Sequence, residues 1–233
     1  MSAKLLDATD VASGSFLLLM LMTLAAAVLL FMGTGWVTRK WKLPLTMAGL
    51  VMGVSAMHYF EAAQVWQASG QMPVLYRYVM WLATMPMQIM VMYFFVNTMA
   101  GLSTWLFWRL LVASVAMVVA RYLGETNLIY PGLGFLIGLA CWLYVLGEIF
   151  FGRMSDVSAK SNNFSVHRGY FWMRLIVSIG WGLYPLTYFI VAFSGGAGEG
   201  KLSIVYNLAD LVNQVAFCLT VLSASVRDSG TSR

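Results

Sequence analysis

Charge is the scarcest commodity in this chain. Of its 233 residues only 10% are Asp, Glu, Lys or Arg, where soluble domains carry about a quarter. A soluble fold of this size could not keep its surface wet with so few charges. Disorder is excluded as well, because disordered chains are poor in apolar residues and this one is 61% hydrophobic. Cysteine is nearly absent: Cys141 and Cys218 each lie inside an apolar run, so no disulfide framework is expected and both read as small core residues. The histidines, His58 and His167, share no spacing with a cysteine or a carboxylate pair, so no metal site is expected. A Ser-His-Asp set and paired carboxylates are also missing, and an enzyme is not expected. The net charge of +5 is scattered at segment ends rather than gathered in the basic stripe a nucleic-acid binder needs to neutralise phosphates. What remains is a polytopic membrane protein whose main partner is the lipid bilayer.

A helix that crosses the hydrocarbon core needs ~20 apolar residues. Seven stretches qualify, at about 15–37, 44–66, 76–98, 104–123, 131–152, 169–194 and 203–226. They predict an all-α, seven-transmembrane helix bundle forming a single domain over 1–233. Barrel strands are excluded because the runs are too long and do not alternate. Arg39, Lys40, Lys42, Arg153, Lys160, Arg168, Arg227 and Arg233 fall on one side of this arrangement, against Lys4 and Lys201 on the other, with Arg77 and Arg121 at helix ends near it. The excess of basic residues places the first side in the cytoplasm, the N-terminus outside and the C-terminus inside. The polar start, with Asp7 and Asp10, does not resemble a cleaved signal peptide. The polar segment Ser155–Ser165 is expected to be a mobile loop.

Ionisable groups inside a membrane are costly and mark functional candidates. Asp210 lies about two turns into the last span, and Arg77 begins the third. Both are in the outer half, which makes Arg77 the natural partner of Asp210. Such a pair can simply tether two helices, or serve binding or transport, and the two readings are compatible. His58 and Glu61 lie in the outer half of the second span; His58 reads as a neutral hydrogen-bonded core residue ahead of a proton carrier. Glu148, Arg109 and Arg174 are near enough to span ends to snorkel. Many aromatics sit at interfaces, where belts are expected. Trp81, Trp142 and Trp181 fall at mid-span instead, with Tyr184 and Pro185 following Trp181. They suit bundle packing first, and after it the sandwiching of an elongated apolar ligand.

Several motifs then stand together. The second span carries His58-Tyr59. The third reads Arg77-Tyr-Val-Met-Trp-Leu-Ala-Thr-Met-Pro-Met-Gln88, the sixth Trp181-Gly-Leu-Tyr-Pro185, and the seventh Tyr206-Asn-Leu-Ala-Asp-Leu-Val-Asn213. Asp7-Ala-Thr-Asp10 and Trp41-Lys-Leu-Pro-Leu-Thr46 add to the pattern. Together they resemble the microbial rhodopsins, and among them the proteorhodopsin group, along all seven spans. The resemblance implies a bacterial-type inner membrane, a multi-pass topology and assembly into rings. It also implies a retinal pocket: the polyene between Trp81 and Trp181, walls from Thr84, Met85, Phe135, Trp142, Tyr184 and Pro185, a colour-tuning position at Gln88, and an outer polar cluster of Arg77, Tyr184, Tyr206 and Asp210. His58 matches a residue that in the family bonds the carboxylate of the third helix.

The departures matter more. The family's Schiff-base lysine falls one turn after the aspartate of the last helix, and here that position is Gln214. The lysines of this chain, Lys4, Lys40, Lys42, Lys160 and Lys201, all lie in tails, loops or at interfaces. A carboxamide does not condense with an aldehyde. The counterion position is Met80, and the proton-donor position is near Val91. Losing one buried cation and one buried anion together leaves Arg77 and Asp210, one of each sign. Losing the lysine alone would leave an extra buried negative charge, at a cost of several kcal/mol. This balance favours a settled natural sequence over a lone lysine knockout. The expected protein is therefore bacteriorhodopsin-like without covalent retinal. It would bind retinal or a related carotenoid non-covalently, or no chromophore at all. The alternative is a non-pigmented subunit or assembly partner, as a homo-oligomer or with a pigmented rhodopsin. A light-driven proton pump or photosensor is the least favoured reading, because proton transfer needs titratable groups along a path.

Overall fold

Segments apolar around much of their circumference can satisfy their backbone N–H and C=O groups in lipid only by helical hydrogen bonding within themselves. The structure, a computed structural model, describes residues 10–161, 163–184, 186 and 199–231. Helices α1 (Val11–Gly33), α2 (Arg39–Ser69), α3 (Val74–Asn97), α4 (Thr104–Glu125) and α5 (Pro131–Phe151) follow one another through short turns, so successive rods run antiparallel. A short α6 (Arg153–Ala159) leads to α7 (Phe164–Leu175), which continues through a π-helical turn, Ile176–Gly180, into one more helical turn at 181–184. The last rod joins α8 (Glu199–Asp210), a second π-helical turn at Leu211–Ala216, and α9 (Phe217–Thr231). Among the described residues six helical stretches are long and apolar enough to cross a membrane, and the continuous run from 164 to 184 supplies the seventh rod.

Local chemistry sets the boundaries. Asp10 accepts a 3.0 Å bond from the Ser13 amide and starts α1. That amide is also the main reason the Asp10 carboxyl is held below the usual carboxylate range. Gly70, at φ 68°, ends α2 by returning its N–H to the Trp66 carbonyl at 2.7 Å. Pro131 occupies the first position of α5, where its missing N–H costs nothing. Between α4 and α5 the backbones touch: a Cβ on Gly134 would lie 2.6 Å from the Ala120 carbonyl oxygen and 2.7 Å from Gly124 Cα.

Two expectations are corrected. Arg39, Lys40 and Lys42, which fall between the first two expected spans, belong to the first turns of α2. Their charges point to solvent while Trp41 turns fully inward and donates from Nε1 to Asp228 Oδ2 at 2.6 Å. The mobile loop expected over Ser155–Ser165 is mostly helical, because Met154 and Val157, one turn apart, are buried at 1% and 7% exposure and anchor α6. Pro185, Lys4, Asp7, Arg233 and the expected end of the sixth span from 187 to 194 lie outside the described residues, as does the side chain of Lys201.

Candidate functional site

Residues 78, 81 and 85 share one face of α3, being three and four positions apart. Trp81 and Met85 meet Phe135 and Trp142 of α5 and Trp181 and Tyr184 beyond the first π turn around a cavity of about 70 Å³. Six of the expected pocket residues therefore come together. Thr84, Gln88, Asp210 and Gln214 do not line this space, and Pro185 lies outside the described residues. Thr84 turns its hydroxyl back to the Met80 carbonyl, 2.9 Å away. Gln88 reaches across to the last rod, where Nε2 donates to the Asn213 carbonyl at 2.5 Å.

The lining has the right chemistry for an apolar conjugated ligand, and the space it leaves is small beside the ~300 Å³ at which ligand pockets begin. Three of its aromatics are in mutual contact: the Trp81 ring lies 4.8 Å from Tyr184 and 5.6 Å from Tyr206, centroid to centroid, and Tyr184 stacks on Tyr206 at 6.0 Å. At the α4 side Tyr78 donates to Glu125 Oε2 at 2.5 Å, and Arg121 lies 4.0 Å from the same oxygen.

Beside this cavity, Asp210 is 3% exposed. Tyr59 donates to its Oδ2 at 2.6 Å, and Tyr184 donates to its Oδ1. Tyr184 in turn accepts from Asn213 Nδ2 at 3.0 Å. The direct ion pair expected with Arg77 is not formed: among the described residues no Arg77 nitrogen lies within 4.0 Å of an Asp210 oxygen. The guanidinium instead covers the Tyr206 ring at 4.3 Å, which satisfies a cation at an aromatic face. His58 sits edge-on to Tyr59 at 5.6 Å and near Tyr76 at 6.4 Å, one residue away from the aspartate rather than on it.

One turn after Asp210, Gln214 is buried at 2% exposure. Its Oε1 accepts the Ser55 hydroxyl, and its Nε2 points to Met80 Sδ at 3.9 Å. The two positions that the resemblance assigns to an amine and its carboxylate partner are thus in contact, as an amide and a thioether. Neither is charged, and the amide nitrogen is not nucleophilic. Of the lysines with described side chains, Lys40, Lys42 and Lys160 are all solvent-exposed. Among the described residues no lysine side chain lines the aromatic cavity.

The two π turns face each other. At Gly180 a Cβ would overlap Asn213 Oδ1, so only glycine permits the approach. The second turn also shifts the hydrogen-bond ladder: Phe217 N–H donates to the Gln214 carbonyl, and the Asn213 carbonyl receives Gln88 instead. Such bulges often occur at functional sites. Ser55, Tyr59 and Asn213 are the site residues the sequence reading missed. Ser55 and Tyr59 are four apart on α2, next to His58, and that spacing was the available signal.

The description "Bacteriorhodopsin-like protein" matches residues 11–227. Blue-light absorbing proteorhodopsin of Gamma-proteobacterium Hot 75m4 is 34% identical, over 97% of this chain and 91% of that protein. Green-light absorbing proteorhodopsin of Gamma-proteobacterium EBAC31A08 is also 34% identical over the same shares. The crystal structure of blue light-absorbing proteorhodopsin from Med12 superposes with a TM-score of 0.79 at 35% identity, covering 93% of this chain and 98% of that one.

Proposed function

The chain belongs to the bacteriorhodopsin-like family, a multi-pass protein of a bacterial-type membrane, and on that premise we propose that it is a colourless, non-pumping member. It attaches no retinal covalently and catalyses no reaction. The observation that carries this reading is the Gln214 side chain, held between Ser55 and Met80 where an amine would be required. The aromatic space beside it, at about 70 Å³, takes retinal or a related carotenoid only if the Trp81–Tyr184 contact opens. Met80 and Val91 offer no proton acceptor or donor, so no titratable path connects the two ends through α3. The end bearing Arg39, Lys40, Lys42, Arg153 and Arg168 faces the cytoplasm by its excess of positive charge.

The test is the absorption spectrum of protein purified with and without added all-trans retinal. The expected result is no visible band in either sample. In vesicles, illumination should produce no pH change. A visible pigment, or light-driven acidification abolished by an uncoupler, would overturn the proposal.

A further inference from the structure

Away from the aromatic cavity, the opposite end of the bundle gathers the start of α2, the turn after α3, the whole of α6 and the end of α9. A cavity of about 320 Å³ opens there. Its walls carry Lys40, Arg153, Lys160 and the Ser161 hydroxyl, and Val157 and Val166 form part of its floor. Arg153 opens α6 and Lys160 caps its C-terminal end, seven positions and about two turns on, while Lys40 approaches from α2.

The charges here are not mutually cancelled. Asp228, 3% exposed, lies 2.8 Å from Lys40 and also accepts from Trp41 Nε1 and Asn163 Nδ2. It fixes Lys40 as one wall. Among the described residues neither Arg153 nor Lys160 has a carboxylate oxygen within 4.0 Å, although Asp156 is on the same helix. The Glu148 carboxylate accepts from the Arg153 backbone amide at 2.8 Å, not from its guanidinium. Ser161 Oγ accepts from the Asn163 amide at 3.2 Å, which leaves its O–H to donate. A concave site with two unpaired cations, a third held in place and a free hydroxyl focuses positive potential. It lies at one end of the helix bundle, and basic pockets between transmembrane helices receive anionic lipid headgroups.

We propose that this cavity binds a phosphate-bearing anion, held by Arg153, Lys160 and Lys40. The chemistry is shared by a phospholipid headgroup and by free phosphate. The apolar floor would accept the glycerol end of the former. This site is independent of whether the aromatic cavity ever holds a chromophore.

The experiment uses the full chain in phosphatidylcholine nanodiscs, titrated either by raising the fraction of phosphatidylglycerol or by adding inorganic phosphate, with the thermal midpoint as readout. The unaltered protein should be stabilised by at least one of the two. A saturating response to inorganic phosphate identifies the free anion as sufficient; a response to phosphatidylglycerol alone identifies the lipid. Either supports the site. The R153Q/K160Q variant should bind on the order of 25-fold more weakly, about fivefold per cation removed. Both side chains are exposed, so folding should survive. The R39Q/K42Q variant removes the same charge from the same end but outside the cavity, and should keep nearly the full affinity. Equal weakening in both variants would reduce the effect to diffuse surface charge and overturn the proposal. So would the absence of any response to either anion.

Discussion

Exchanging the Gln214–Met80 contact for a charged pair gives a quantitative handle on the site. Both residues are 2% exposed, and their polar atoms lie 3.9 Å apart. Gln214→Lys places an ammonium beside a thioether. The carboxylate one turn earlier, Asp210, is already occupied by Tyr59 and Tyr184, so the new charge is poorly compensated. An uncompensated buried charge costs about 3 kcal/mol or more. Met80→Asp creates the opposite defect, with Arg77 committed to the Tyr206 face. If the costs were independent, the double variant would lose about 6 kcal/mol. Because the two side chains touch, the double variant should form its own ion pair and lose only about 3 kcal/mol, a coupling of about 3 kcal/mol. The assay is unfolding of the unaltered protein, both single variants and the double variant in one detergent, analysed as a double-mutant cycle. Additivity to within about 0.5 kcal/mol would refute the view that these positions act as a matched pair.

The other predictions are local. Tyr184→Phe removes a donor to Asp210 and the acceptor for Asn213, and should lower stability by about 1–2 kcal/mol in thermal unfolding; no change would mean that the hydroxyl network contributes nothing. Gly180→Ala forces a Cβ onto Asn213 Oδ1 and should cost about 1–3 kcal/mol, whereas Gly53→Ala, with nothing within 4 Å, should be neutral or slightly stabilising. Asp10→Ala removes the α1 cap and should cost about 1 kcal/mol at neutral pH. Since the folded Asp10 carboxyl titrates below its ordinary value, its stabilisation is complete above the ordinary carboxylate range. It disappears as pH falls through the lower folded value, so the gap between variant and parent should close in acid.

The spans were legible because lipid demands long uncharged runs, a signal that survives any detail of packing. Their ends were less so. Arg39 and Lys42 read as a break because they are charged, yet a helix can carry them on its solvent face while Trp41 is drawn inward by Asp228, a residue far away in sequence. The π turns at Ile176–Gly180 and Leu211–Ala216 left no mark in composition, since they depend on how two rods meet. At the site, the aromatic lining followed from mid-span tryptophans. The partner of Arg77 did not: charge pairing suggested Asp210, but two tyrosine hydroxyls occupy that carboxylate and Tyr206 takes the cation. Hydrogen-bond saturation of this kind depends on side-chain directions that periodicity does not specify. The expectation that no amine lies in the interior rests on the sequence positions of the five lysines alone.

The most direct measurement is the intact mass of the purified protein after incubation with all-trans retinal and reduction with borohydride. The Gln214→Lys/Met80→Asp variant serves as the positive control. With Gln214 in place, the mass should equal that of the unmodified chain. A retinyl-sized increase mapped by peptide analysis to a side chain within the bundle would contradict the account.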